Sequence, residues 1–299
     1  MLNRRFLRSL GQVCLLAGLL VSCQKKPGED PASNIDEFKG KTYGRVVAFA
    51  PNLAEFVDFV GASSSLAART RFSDYPASLL SLPSIGSGLQ PDLEAIALLD
   101  TRLAILLRSA RNSALANSLS SLDIDVYWTR VETADDIIRT SREIAQLTGV
   151  DADDQIGRLR AGMEQLRSFD STRTVLMVHG HDPLVCAGPG SWGDQIIRLA
   201  GYKNALDSTF GTYPSLDNEH LLSVEADIII DTTGAYYSDP SPDGQTVRQY
   251  ELLPKSEVHF VSNSGFLRPG PRCVEVAKQL QGLCDPKPPD KSVLPEKKR

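Results

Sequence analysis

The sequence predicts an α/β fold of two lobes, each a mainly parallel sheet flanked by helices, joined by one long backbone helix. Three observations carry that expectation. Short β-branched runs alternate with helical periods, the second half of the chain repeats the plan of the first, and a long charged amphipathic stretch lies between them.

From Arg45, the run RVVAFA is short, apolar and β-branched, as a buried strand is. Pro51-Asn52 and a helical pattern of Leu53, Phe56, Val57 and Val60 follow it, closed by Gly61. The alternation continues with a strand in LAART (66–70), a helix in DLEAIALL (92–99), a strand in RLAILL (102–107), a helix near 113–122 and a strand in DVYWT. Strands alternating with helices imply a parallel sheet covered on both faces.

The second half opens alike, with TVLMVHG as a strand, the loop HDPLVCAGPG, and a helix from about Ser191 carrying Ile196, Ile197 and Ala200. The helix NEHLLSV and the strand DIIIDTT follow. Glu94-Ala-Ile96 falls on Glu219-His-Leu221, and an apolar strand follows each, so the chain repeats its own plan. Between the halves, residues 133–170 read as linking helices broken at Thr148-Gly149. The second part, Asp151 to Phe169, would make a rod of about 28 Å at 1.5 Å per residue, a stiff strut between lobes.

The ends of the chain are of another kind. Arg4, Arg5 and Arg8 precede an apolar run from Val13 to Val21 that is too short to span a bilayer, and Leu20-Val21-Ser22-Cys23 closes it. That order is a secretory signal peptide over 1–23, and LVSC resembles a bacterial lipobox. The resemblance implies that Cys23 is lipidated and becomes the new N-terminus; a plain signal peptide with an incidental cysteine is the alternative. Residues 24–44 are polar with Pro27, Gly28, Pro31 and Gly40 and read as a tether, and 285–299 read as a disordered tail. The remaining 45–132 and 171–284 are the two lobes.

Removal of the signal leaves 29 basic against 37 acidic side chains, a net of −8, which argues against nucleic acid as a partner. Export permits disulfides, yet only Cys186, Cys273 and Cys284 remain, so at least one is free. On one continuous helix Cys273 and Cys284 would lie about 16 Å apart, beyond the reach of a bridge.

Six stretches, RVVAFAPNLAEF, RTRFSDYP, IGSGLQPDLEAI, DPLVCAGPGSWGDQIIRLAG, YPSLDNEHLL and GFLRPGPRCVEVAKQL, are similar in order and spacing to one family. It is that of the ABC-importer binding proteins for cobalamin, ferric siderophores and haem, and the resemblance covers Arg45 to Leu283. It implies an extracytoplasmic, lipid-anchored monomer, without enzymatic activity or resident cofactor. Such a protein captures a small molecule between its lobes and delivers it to a permease dimer in the inner membrane.

By the same resemblance Glu94 and Glu219 dock on arginines of the permease, one on each subunit of a two-fold dimer. Phe72, Tyr213 and Phe266 supply aromatic faces to a flat ligand, and Arg268 meets its polar edge, with Arg69 and Arg71 as further candidates. The family's tryptophan is absent from Gly86 to Leu89, and Val185 stands where an aromatic belongs; Trp192 is placed to compensate. Among the ligands, cobalamin or a related corrinoid leads, ahead of a ferric siderophore or haem.

His179 and His181 flank Gly180 at a strand end, where alternation would point both towards the groove. His179 is therefore a ligand-facing candidate. The same pair is the seed of the one enzymatic alternative, a metal-dependent hydrolase, which lacks a second ligand cluster or nucleophile in the sequence. A dedicated metal site needs about four convergent ligands, and His220 and His259 are too distant in sequence to suggest one.

Overall fold

The computed structural model describes residues 32–237 and 248–285. The signal peptide with Cys23, residues 24–31 of the expected tether, and 286–299 of the tail lie outside the described residues.

The first sheet contains β1 (Val46–Ala48), β2 (Leu66–Ala68), β3 (Leu103–Leu107) and β4 (Asp125–Thr129), all parallel, in the order β2-β1-β3-β4. Strands β1, β2 and β3 are apolar on both faces because helices cover both, whereas the edge strand β4 starts at Asp125 and is half-buried. Val46, Ala48, Leu103 and Ile105 pack towards α1 (Pro51–Phe59) and α4 (Ala134–Thr148). Val47, Ala104 and Leu106 pack towards α2 (Leu93–Leu98) and α3 (Ser113–Ser120).

The second sheet contains β5 (Thr174–His181), β6 (Leu184–Cys186), β7 (Lys203–Asn204), β8 (Ser215–Leu216), β9 (Ile228–Asp231) and β10 (Glu257–Phe260). Its order is β10-β9-β5-β6-β8, with β7 beside the start of β5. Strands β10, β9, β5 and β7 run parallel, whereas β6 folds back antiparallel on β5 and pairs with β8. From sequence, 181–190 reads as loop throughout. Strand β6 sits inside it because Asp182-Pro183 makes a two-residue turn, and three residues are too few for periodicity to betray a strand.

Helices α6 (Trp192–Leu199) and α9 (Cys273–Cys284) cover one face of this sheet. On the other lie α7 (Asn218–Leu222) and the 3-10 turn Arg248–Leu252, and α8 (Gly234–Tyr237) follows β9.

Helix α5 (Asp153–Arg167) connects the two sheets in sequence, and its 15 residues make a rod of about 22 Å. It is not a free-standing strut. Ile156, Leu159, Met163 and Leu166 are buried on it, and it packs against α4, α6 and α9. One apolar core therefore runs without a break from Val46 and Phe56 through α5 to Ile196 and Leu280. Separate cores fill the far face of each lobe. A shared core resists lobe rotation, since rotation would open voids in close-packed surroundings.

The expected tether is corrected over its second half. From Ala32 the chain straps the edge strand β4. Ser33 bridges Thr129, and the Asn34 side chain donates to Val126 O at 3.1 Å and accepts from Trp128 N at 2.7 Å. Phe38 and Tyr43 are buried against Tyr127 and the α4 layer. Two aromatics and an asparagine that mimics backbone pairing outweigh the polar composition on which the tether reading rested, and they cover an edge that would otherwise expose unpaired backbone. At the other end Asp285 is held by Tyr202 at 2.6 Å.

All three cysteines are buried and free, with Cys273 and Cys284 at opposite ends of α9. No helix among the described residues is long and apolar enough to cross a membrane.

Candidate functional site

The loop after β2 carries the exposed aromatics of the N-terminal lobe. Thr70 and Ser73 close it with a buried hydroxyl pair at 2.8 Å, and Arg71 N donates to Gly86 O. Phe72 stands 54% exposed and Tyr75 40% exposed on the turn so formed. Arg71 lies over the Phe72 ring at 4.7 Å.

This loop meets the segment after β10 in the other lobe. Arg268 donates to Asp74 at 2.7 Å, to Glu55 at 3.3 Å and to the Phe72 carbonyl at 3.2 Å. Arg272 forks onto Glu55 with two bonds of 2.8 Å and lies 4.0 Å from the Tyr75 ring centroid. Asn52 reaches Pro269 O at 2.8 Å. The carboxyl ends of β1 and β2 thus adjoin that of β10, and the two sheets present their carboxyl ends to a common border. Crevices outside carboxyl strand ends are where open α/β sheets bind ligands.

In the second lobe Tyr213 is 57% exposed, on a loop held by backbone bonds from Cys186 N to Pro214 O and from Gly188 N to Thr212 O. A side chain at Gly188 would strike Gly211 O at 1.9 Å, so only glycine permits this approach. The Tyr213 ring tilts over His179, with centroids 6.1 Å apart.

Two expected ligand faces are corrected. Phe266 is 0% exposed: it closes a 3-10 turn, Ser264–Phe266, that Asn263 caps, and its ring fills the shared core. Trp192 is 7% exposed, and its indole N–H donates to Gly265 O at 3.0 Å. Ser191 caps α6 and places Trp192 at the first helical position, on the apolar face turned to α9. Arg268 is where a groove-lining side chain would be, but its donors are directed at protein acceptors.

The histidine pair is also corrected. A β-bulge between Val178 and Gly180 breaks the alternation of β5, so His179 and His181 lie on opposite faces of the sheet. His181 Nε2 meets Asp231 Oδ2 at 2.6 Å, on the face of Tyr250. Asp231 also accepts from the Tyr250 hydroxyl at 2.8 Å and from Thr233 N and Oγ1 at 2.9 and 2.6 Å. Burial, followed by the Asp231 charge, raises the Tyr250 phenol above its ordinary range.

His179 Nδ1 meets Thr232 Oγ1 at 2.8 Å, and that hydroxyl donates its one proton to Val178 O at 2.8 Å. The proton between them therefore belongs to Nδ1, and Nε2 carries the lone pair. Burial lowers the His179 pKa to about 4, against the opposing pull of Asp231, so the ring is neutral at physiological pH. With the pair divided, the hydrolase alternative loses its centre. Among the described residues no three His, Cys, Asp or Glu side chains converge as metal ligands would.

Glu94 and Glu219 occupy equivalent places on short helices of the two lobes. Asp92 caps α2 by accepting from Ala95 N at 2.9 Å, and Asp217 caps α7 by accepting from His220 N at 2.8 Å. Each glutamate is exposed in the first turn, and Ile96 and Leu221, two residues on, are both buried. Glu219 also borders an open depression of about 680 Å³ shared with His181, Asp182 and Gln249.

Sequence reasoning missed Glu55, Arg272 and Asp231. One signal was available for Glu55, a carboxylate among the apolar positions Leu53, Phe56 and Val57 of α1, which marks a buried charge in need of a cation.

The sequence is 26% identical over 246 residues to a vitamin B12-binding protein of Pectobacterium atrosepticum, covering 79% of this chain and 86% of that one. The fold resembles the periplasmic haem-binding protein HutB of Vibrio cholerae, with a TM-score of 0.69 and 20% identity over 81% of this chain and 99% of the other. It also resembles the periplasmic vitamin B12-binding protein BtuF of Vibrio cholerae, with a TM-score of 0.65 and 20% identity over 79% and 94% of the two chains. The profile of the periplasmic binding proteins matches residues 46–249, more than half of the sequence. With the two α/β sheets meeting at their carboxyl ends, this match establishes that the chain belongs to the periplasmic binding protein family.

Proposed function

We propose that the chain is a lipid-anchored substrate-binding protein of an ABC importer that captures cobalamin or a related corrinoid between its lobes. The observation that carries the ligand is the 26% identity to a vitamin B12-binding protein over 79% of the chain. Phe72, in the loop after β2, and Tyr213, in the loop before β8, are both more than half exposed and supply the flat apolar faces such a ligand needs. His179 stands beside Tyr213 with an unprotonated nitrogen.

Lipid on Cys23 anchors the protein, as a monomer, to a membrane in an extracytoplasmic space, the periplasm or the cell surface. The role is capture without chemistry: the shared core keeps lobe movement small, and Glu94 and Glu219 dock the loaded protein on the permease dimer. Haem or a ferric iron chelate in the same groove is the second reading, favoured by the unprotonated Nε2 of His179, a nitrogen of the kind that ligates iron.

Titration with cyanocobalamin, haemin and a ferric siderophore, followed by intrinsic fluorescence, tests the ligand. Saturable quenching by cyanocobalamin is expected; saturation by haemin or the siderophore alone would replace the first reading with the second, and no saturation by any of them would end both. For docking, Glu94→Ala with Glu219→Ala should abolish uptake at unchanged ligand affinity. A loss of affinity in the double variant would remove the docking role.

A further inference from the structure

Phe72 and Tyr75 pose a physical problem, because an exposed aromatic turn gains little burial to offset the entropy of holding it still. The order must come from elsewhere. Both ends of the turn are tied by the same guanidinium: Arg268 bonds the Phe72 carbonyl at 3.2 Å and the Asp74 carboxylate at 2.7 Å. Arg272 lies against Tyr75 at 4.0 Å from its centroid and is itself buried, which leaves the opposite face of that ring to solvent.

The arginines are in turn fixed. Glu55, buried on α1, takes the Arg272 fork and one bond from Arg268. Asn263 and Ser264 accept from Arg272 at 2.9 and 3.1 Å, and Asn263 is anchored to Gln279 of α9 at 2.9 Å. Two arginines and two carboxylates balance in charge, so the cluster has no net attraction for an anionic ligand. Its geometry serves the loop.

From this we infer that Arg268 and Arg272, set by Glu55, are positioning residues that hold the Phe72–Tyr75 turn of one lobe from the other, and that Tyr75 is a second ligand-facing aromatic beside Phe72. The inference rests on the proposed reading that this turn faces the ligand, and it assigns Arg268 a role through the turn instead of a grip on the ligand's polar edge.

The first arm of the test needs no ligand. Amide hydrogen exchange across residues 71–75 of the full chain should quicken about tenfold or more in Arg268→Ala while β1 and β3 keep their protection. Asp74→Asn, at an exposed residue, removes the strongest of the same ties without threatening the fold and should act in the same direction. Unchanged exchange in the turn in both variants would overturn the inference whatever the chain binds.

The second arm uses cyanocobalamin in a double-mutant cycle. Arg268→Ala should weaken binding about tenfold in the native background and less than about twofold once Phe72→Ala and Tyr75→Ala are present, because the turn then has nothing to present. Equal losses in both backgrounds would mean that Arg268 touches the ligand directly and would overturn the positioning role. Absence of cyanocobalamin binding by the native chain would count against the ligand reading, and the exchange arm would still decide this one.

Discussion

Glu55 and Asp231 are both carboxylates withdrawn from water at the rims of the two sheets, 4% and 0% exposed, yet they are satisfied in different ways. Glu55 belongs to one lobe and is met by two arginines of the other. Asp231 is met inside its own lobe by two hydroxyls, a backbone N–H and a histidine. The first arrangement ties lobe to lobe and the turn to both; the second stiffens one strand end without reference to the other lobe. Charge placed across a border fixes relative position, whereas donors gathered within a sheet fix only local shape.

The contrast can be broken by substitution. Glu55→Ala should have the largest effect, about 3–5 kcal/mol, because it leaves Arg272 buried without its anion. Denaturant unfolding measures it, and a loss under about 1 kcal/mol would mean that water or Asp74 replaces the carboxylate. Asp231→Ala should cost less, about 2–4 kcal/mol, since His181 and Thr233 can turn to solvent and only the Tyr250 hydroxyl is stranded. It should leave exchange in the 71–75 turn unaltered, where Glu55→Ala should quicken it.

His179 gives the contrast a pH signature. Its pKa falls from the ordinary 6.5 to about 4 on folding. Between those values the unfolded chain takes up a proton that the folded chain refuses, so this contribution is complete above about pH 6.5 and is lost as the pH falls towards 4, by roughly 2–3 kcal/mol in all. Unfolding curves from pH 7 to 4 should therefore be flatter for His179→Gln than for the native chain; equal slopes would show that the imidazole is not held neutral by burial.

The smallest expected effects compare helices α2 and α7. Asp92→Ala and Asp217→Ala should each lower the midpoint of thermal unfolding slightly as lost N-caps, and by nearly equal amounts if the repeat is structural as well as sequential. A difference of several-fold in thermal shift between them would separate the two helices energetically.

The strands and helices were legible wherever a period could express itself. The lines Val46–Ala48, Leu103–Leu107 and Ile228–Asp231 are buried on both faces and read as apolar runs, and α2 and α7 read as helices, with Ile96 and Leu221 buried on them. Glu94 and Glu219, which the family resemblance singles out and the repeat superimposes, lie at equivalent places in the first turns of α2 and α7. The bulge in β5 was not legible, since Gly180 permits it but nothing in His-Gly-His requires it, and one residue of slip sends His181 to the other face. Phe266 and Trp192 were misplaced for a related reason: an aromatic beside a turn looks the same in sequence whether its ring points to a groove or to a core.

By itself, then, the sequence determined the alternation of strand and helix and the repeated order of elements in the two lobes, because each of these is written in patterns a few residues long. Only the tertiary structure decided which aromatics remain exposed, that Arg268 and Arg272 spend their donors on Glu55 and Asp74, and that Ala32 to Tyr43 strap an edge strand. Those outcomes join residues as far apart as 217 positions. Separations of that size leave no periodic trace in a chain, and what satisfies a buried charge becomes known only when the partners are brought together in space.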